Sequence, residues 1–267
     1  MKYLKFTTVL VCIIFFSCSQ KEAINISSPD KNIKVDVVLS EAGEPTYTII
    51  HKNIEVIKTS KLGFDFENIG SLTANFKIIE TTNSSFSETW QMPWGEQLDV
   101  RNHYNELVVN LEEQSELKRK LNIHFKIYDD GLGFRYEFPE QENLKEVLIT
   151  DENTQFNLTG DHKVWWIPGD WDIYEHLYSE TKFSEIDALS KQNNANLNAT
   201  YIPENAVNTP VTMKTEDGLY LSFHEADLTN YSGMTLKVNP KNLDMVSELV
   251  GSEILGGKAK VSIPFNT

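Results

Sequence analysis

The sequence predicts an all-β protein built as a large antiparallel sandwich. Three observations carry that expectation: apolar residues recur with period two along most of the chain, Asp-Gly turns join several of those runs, and helical periodicity is nearly absent. A hydrophobic content of 40% with 11% aromatics is enough for a sizeable core and excludes global disorder. With 13 Gly and 9 Pro and no repeat period, collagen-like and low-complexity architectures are excluded as well. The 24 Lys and Arg stand against 39 Asp and Glu, a net charge of −15. Such an acidic surface repels phosphate backbones, so no nucleic-acid partner is expected.

The first element is not part of the sandwich. Lys2 and Lys5 precede an apolar run from Phe6 to Phe16 that is too short to span a bilayer with ease. Residues 1–17 therefore read as a lipoprotein-type signal peptide. Phe15-Phe16-Ser17-Cys18 resembles a bacterial lipobox with Phe in place of Leu. Cleavage there leaves Cys18 to carry acyl chains, so the expectation is lipidation at Cys18 and a chain exported to the periplasm or outer membrane and held by a membrane anchor. Ordinary signal cleavage nearby is the competing reading. Both cysteines, Cys12 and Cys18, lie in this segment. The remaining body has no disulfide, no thiolate nucleophile and no Cys-ligated zinc, and core packing must hold it together. Residues 18–25 read as a tether and residues 26–267 as one sandwich domain, since no Pro- or Ser-rich linker divides them.

Along the body, Ile33, Val35, Val37 and Leu39 mark one apolar strand face. Strands are expected at 46–50, 54–58, 62–66, 76–80, 98–100 and 106–111. Leu121, Ile123, Phe125 and Ile127 alternate with polar residues, and Asp129-Asp130-Gly131 supplies turn chemistry. Leu132, Phe134, Tyr136 and Phe138 then alternate again, which makes a hairpin. After a strand at 163–167, residues 183–191 have room for two helical turns, and the Asn-rich stretch 190–208 reads as an exposed loop. A second hairpin joins 211–214 to 219–223 through Glu216-Asp217-Gly218, and further strands are expected at 234–238 and 259–263. Asn198-Ala199-Thr200 matches a glycosylation acceptor by chance.

No phosphate-cradling glycine loop, zinc-protease helix or serine nucleophile elbow is present, and the six histidines have no metal spacing. His124, on a polar strand face, reads as a surface residue. Three stretches are dense in function-capable residues: Trp90 to Glu96 with Arg101 to Glu106, Trp165 to Glu175, and His224 to Leu228. The first two hold all five Trp. Trp beside carboxylates suits sugars, whose C–H faces stack on rings while hydroxyls bond to polar groups. On composition alone, Trp90, Trp94, Trp165 and Trp166 read more readily as core residues of a large sandwich. Asp170, Asp172 and Glu175 lie within six positions and suit a hard cation such as calcium, or else a solvated acidic loop.

These stretches resemble the N-terminal domain of glycoside hydrolase family 97, closest to the α-glucosidases of starch-utilisation systems. The resemblance runs through Ser28-Pro29-Asp30, Glu88-Thr89-Trp90, Trp94-Gly95-Glu96, Arg101 to Leu107 and Asp130 to Glu137. It continues through Trp166-Ile167-Pro168-Gly169-Asp170 to His224-Glu225-Ala226 and Tyr231-Ser232. It implies a galactose-mutarotase-like β-super-sandwich that packs on a catalytic (β/α)8 barrel. It further implies exo-acting hydrolysis of α-linked glucooligosaccharides, with a calcium ion held mainly by the barrel. The position matching the N-terminal domain's calcium ligand is Glu175. No catalytic residue is expected in this chain. Trp171, His103 and Glu225 are carried as substrate-binding candidates, and Asp227 has no transferable role.

The sequence departs from the family pattern after Thr267, where the family continues into the barrel. Hydrolysis of a glycosidic bond needs a carboxylic acid and a second carboxylate, which a barrel supplies from its strand ends. The expectation is therefore the front third of a larger enzyme, inactive alone. A stand-alone carbohydrate-binding lipoprotein and an α-galactosidase of the same family are the alternatives.

Overall fold

A computed structural model describes residues 23–192, 195, 197–250 and 257–267. The signal segment and Cys18 lie outside the described residues. The described chain is almost entirely β, arranged as four antiparallel sheets that form a β-super-sandwich. The largest has eight strands in the order Ile24–Ser27, Ile33–Leu39, Pro45–His51, Ile54–Lys61, Gln155–Leu158, Asp244–Leu249, Met234–Asn239 and Ala206–Asn208. A five-stranded sheet runs Phe265–Asn266, Leu132–Phe138, Lys120–Ile127, Asp99–Glu113 and Phe76–Gln91. Two four-stranded sheets complete the domain. One contains Glu146–Glu152, and the other runs Ser179–Lys182, Lys163–Trp166, Val211–Lys214 and Tyr220–Phe223.

Period two becomes burial in the way side-chain alternation requires. Strand Ile33–Leu39 buries every second residue, and so does Lys120–Ile127. All four sheets contribute to a single apolar cluster that includes Val35, Phe64, Phe125 and Val164, each fully buried. Each large side chain removed from water there contributes about 1.5–3 kcal/mol. Aromatic rings fill the centre: Phe64 meets Tyr136 edge-on at 4.6 Å and Phe138 at 5.0 Å. Gly43 adopts φ +75°, and a Cβ there would lie 2.6 Å from the Phe76 backbone nitrogen, so only glycine lets this turn close on the neighbouring strand.

Both expected hairpins form, with Leu132 opposite Ile127 and Val211 opposite Phe223. Four expectations change. Strand Ile24–Ser27 pairs with Ile33–Leu39, so the sandwich begins inside the supposed tether at 18–25. The separate strands at 76–80, 98–100 and 106–111 belong to one ribbon of Phe76–Gln91 and Asp99–Glu113. Ser, Thr and Asn at 81–85 hide its alternation because this edge strand is exposed on both faces. The loop expected at 190–208 ends in the buried strand Ala206–Asn208. His124 is only 11% exposed, with Glu137 at 2.6 Å and Glu106 at 3.5 Å, so it is a paired residue and not a free surface one. Residues 183–191 make two short 3-10 turns.

Candidate functional site

Strand Lys163–Trp166 is the starting point of the loop that carries Glu175. Beyond it, Pro168 bridges Val207 and Asp170 bridges Tyr201, which pins the chain to the segment 200–208. Asp170 then organises the turn that leads to Glu175. Its Oδ1 accepts the backbone N–H groups of Asp172 at 2.9 Å, Ile173 at 3.2 Å and Thr200 at 3.3 Å. Its Oδ2 lies 3.0 Å from His176 Nε2, and its own N–H donates to Asn208 Oδ1. Asn208 in turn donates to the carbonyl of Ile173. A carboxylate that accepts several backbone donors fixes a tight loop much as a helix N-cap does.

The three acids of this loop therefore have different roles. Asp170 is fully buried and faces inward, contrary to the reading of a solvated acidic loop. Asp172 accepts a hydrogen bond from Thr200 Oγ1 at 2.6 Å. Glu175 is exposed and has no hydrogen-bond or ion-pair partner among the described residues. Among the described residues no three His, Cys, Asp or Glu side chains form a group able to hold a metal ion. The donor chemistry of Glu175 suits calcium, but as one oxygen ligand of a site that needs about six or more.

Around Glu175 the surface is apolar. Tyr174 is 64% exposed, Leu177 91% and Tyr178 61%. Nearby, Trp165 stacks on Tyr220 with centroids 6.2 Å apart and rings 16° from parallel, bordering a shallow hollow shared with Tyr178 and Pro210. Of the four Trp offered as core residues, only Trp166 is buried. Trp165 is half-buried, while Trp90 and Trp94 are exposed on the long ribbon. The ribbon's outer end is paired on one side only, since strand Asp99–Glu113 meets Lys120–Ile127 only from Asn105 onward.

The other candidates lie apart in the fold. Trp171 is half-buried in the Glu175 loop, and its indole N–H has no partner among the described residues. His103 stands on the ribbon opposite Ser87, with its Nδ1 buried and without a partner among the described residues. Glu225 lines a central cleft of about 450 Å³, together with the exposed Asp227. There it accepts the backbone N–H of Met234 at 2.7 Å.

Glu152, also in that cleft, is a functional-looking residue that sequence reasoning missed. It accepts hydrogen bonds from Thr154 at 2.7 Å and Tyr231 at 2.8 Å, and Tyr136 meets Thr154 at 2.7 Å. Burial raises the Glu152 carboxyl above its ordinary range, and the neighbouring Glu225 charge adds to the effect. Burial raises Glu225 too. In the sequence, Asp151-Glu152-Asn153 looks like a polar turn, and only the sheet pairing reveals that Glu152 points inward.

Comparison with known proteins accounts for this arrangement. The chain matches the family model described as glycosyl-hydrolase 97 N-terminal over residues 26–266. A retaining α-galactosidase of Bacteroides thetaiotaomicron is 23% identical over 238 residues, covering 88% of this chain and 33% of that protein. A family 97 enzyme from Pseudoalteromonas sp. strain K8, solved with panose, superposes with a TM-score of 0.80 at 32% identity, covering 91% of this chain and 34% of that one. The same enzyme has been solved with acarbose. A β-arabinopyranosidase at 19% identity and TM-score 0.77 shares the fold. The 267 residues thus span about a third of the length of these relatives. With the sandwich, the collinear motifs and the match over 26–266 in agreement, this chain belongs to the N-terminal domain family of glycoside hydrolase family 97.

Proposed function

We propose that this chain is the N-terminal part of a calcium-dependent, exo-acting α-glucosidase that cleaves α-linked glucooligosaccharides. In this reading the sandwich packs on a catalytic (β/α)8 barrel and supplies Glu175 as one calcium ligand, while the barrel supplies the acid and base. The observation that carries it is the exposed Glu175, without a partner among the described residues, on a loop fixed from within by Asp170. A carboxylate held this way is available to a cation contributed by another domain. Calcium there would act as a template and electrophile beside the scissile bond. The exposed Tyr174, Leu177 and Tyr178 suit a covered interface. The glucosidase assignment leans on the 32% identity to an enzyme solved with panose and acarbose.

Two other readings have their own support. An α-galactosidase activity is favoured by the 23% identical relative that bears that name. A stand-alone carbohydrate-binding lipoprotein is favoured by the stack of half-buried Trp165 on exposed Tyr220. In every version Cys18 carries the lipid anchor and the domain is exported. Incorporation of labelled palmitate, lost in Cys18→Ser, tests the anchor.

The chain alone should not turn over substrate. Assay of the purified protein on p-nitrophenyl α-glucoside and p-nitrophenyl α-galactoside with calcium tests this, and release of nitrophenol above the buffer rate refutes it. Saturable binding of maltooligosaccharides that is lost in Trp165→Ala would favour the carbohydrate-binding reading instead.

A further inference from the structure

The central cleft has no role in the proposed calcium chemistry, and none of its lining residues belongs to the Glu175 loop. At about 450 Å³ it falls within the range of small-ligand sites. Its walls are mainly apolar and aromatic, with Phe134, Phe223 and Tyr231 each half-buried and therefore reachable from the cleft. Among the acids of this wall Glu152 is buried and Glu225 half-buried, and two hydroxyls, Thr154 and Tyr231, donate to Glu152.

We propose that this cleft binds a neutral sugar of one or two rings, with Glu152 and Glu225 holding its hydroxyls and the half-buried rings packing on its C–H faces. The charges on the wall disfavour an anion: Asp129, Asp130 and Asp227 stand against Arg135 as the one Lys or Arg among the lining residues. Arg135 itself is engaged by Asn266. The carboxyl chemistry fits hydroxyls better than a permanent cation. Each Glu152 oxygen already accepts one hydroxyl donor and keeps a second lone pair. Burial also favours the protonated form of both acids, and a protonated carboxyl both donates and accepts, as a sugar hydroxyl does. Half-buried rings beside such groups are suited to carbohydrate because a ring face packs on C–H groups and makes no demand for charge.

Calorimetric titration of the purified full chain with methyl α-glucoside, methyl α-galactoside, maltose and glucosamine tests the proposal. At least one neutral sugar should bind saturably with a dissociation constant on the order of 1 mM, the strength expected for a ligand of this size. Ala226→Trp places a bulky side chain at an exposed position of the cleft wall, where folding should be unaffected, and should weaken binding at least tenfold. Glu225→Gln should weaken it in the same direction, while Trp165→Ala and Glu175→Gln leave it unchanged. Insensitivity to Glu175→Gln keeps this test separate from the calcium reading. Three results overturn the proposal: no neutral sugar binds, glucosamine alone binds, or binding survives Ala226→Trp and disappears in Trp165→Ala.

Discussion

Asp170 and His176 are buried against each other beneath the loop that exposes Glu175, with carboxylate Oδ2 and imidazole Nε2 3.0 Å apart. The contact closes the span from Asp170 to His176, whose first turn is already tied to Asp170 through backbone N–H groups. Removing the carboxylate in Asp170→Ala takes the acceptor from three part-buried backbone donors and from the buried His176 side chain at once, and a donor buried without a partner costs about 1–3 kcal/mol. The expected loss is about 3 kcal/mol or more in urea unfolding, with faster proteolysis between residues 171 and 178. Glu175→Gln, at an exposed position, should stay within about 0.5 kcal/mol of wild type. Equal effects from the two substitutions would separate Asp170 from any organising role.

The buried pair of Glu113 and Arg119 is expected to be the most sensitive ion pair among the described residues. Arg119 donates to both Glu113 oxygens at 2.7 Å and also to the carbonyls of Ile69 and Ser71. Arg119→Met leaves a carboxylate without its partner and should cost about 3–5 kcal/mol. The Arg119 hydrogen bond holds the Glu113 carboxyl below its ordinary value of 4.5. Its stabilising effect is therefore full above that value and fades as pH falls through the lowered one. Urea midpoints measured from pH 7 down to pH 3 should converge between wild type and Glu113→Gln at the acid end.

Glu152 should behave in the opposite sense. Its carboxyl is raised above 4.5 by burial, so the folded protein binds a proton more readily than the unfolded chain does. Over the interval between 4.5 and the raised value, native molecules hold more protons and stability falls as pH rises. Glu152→Gln removes that proton uptake. Wild type should therefore lose stability relative to the variant between pH 4.5 and pH 7, read from urea midpoints. A constant difference across that range would place the Glu152 carboxyl in an ordinary solvated setting.

The tryptophans offer a direct check on which are structural. Trp166 is 1% exposed and donates its indole N–H to Thr181, so Trp166→Ala should cost about 3–5 kcal/mol. Trp94 is 79% exposed at the end of the long ribbon, and Trp94→Ala should change stability by less than about 0.5 kcal/mol. Thermal unfolding of the two variants separates these roles.

Fold class was legible because alternation in strands such as Ile33–Leu39 and Lys120–Ile127 is a local property set by one buried face. The ribbon at 76–91 was not, because neither of its faces is buried beyond the first residues and its pairing alone defines it. The inward turn of Asp170 was equally hidden. Its partners Thr200 and Asn208 are 30 and 38 positions away, and sequence spacing carries no information on that approach. Trp90 and Trp94 remain outside the core because the exposed long ribbon holds them, and Trp165 because it faces away from Val164 and Trp166, the buried residues on either side of it in the strand. Glu175 was identified by resemblance to a family motif, and its exposure on a loop tied down by Asp170 is compatible with that role.

The central claim is that Glu175 completes a calcium site with a barrel domain. The most direct measurement joins these 267 residues, in place of the matching domain, to the catalytic barrel of the panose-binding relative. Hydrolysis of p-nitrophenyl α-glucoside is then followed as calcium is returned after chelation. The expected result is calcium-dependent turnover, with Glu175→Gln raising the calcium needed for half-maximal rate at least tenfold at unchanged melting temperature. Identical calcium curves for wild type and Glu175→Gln in the folded, active hybrid would contradict it.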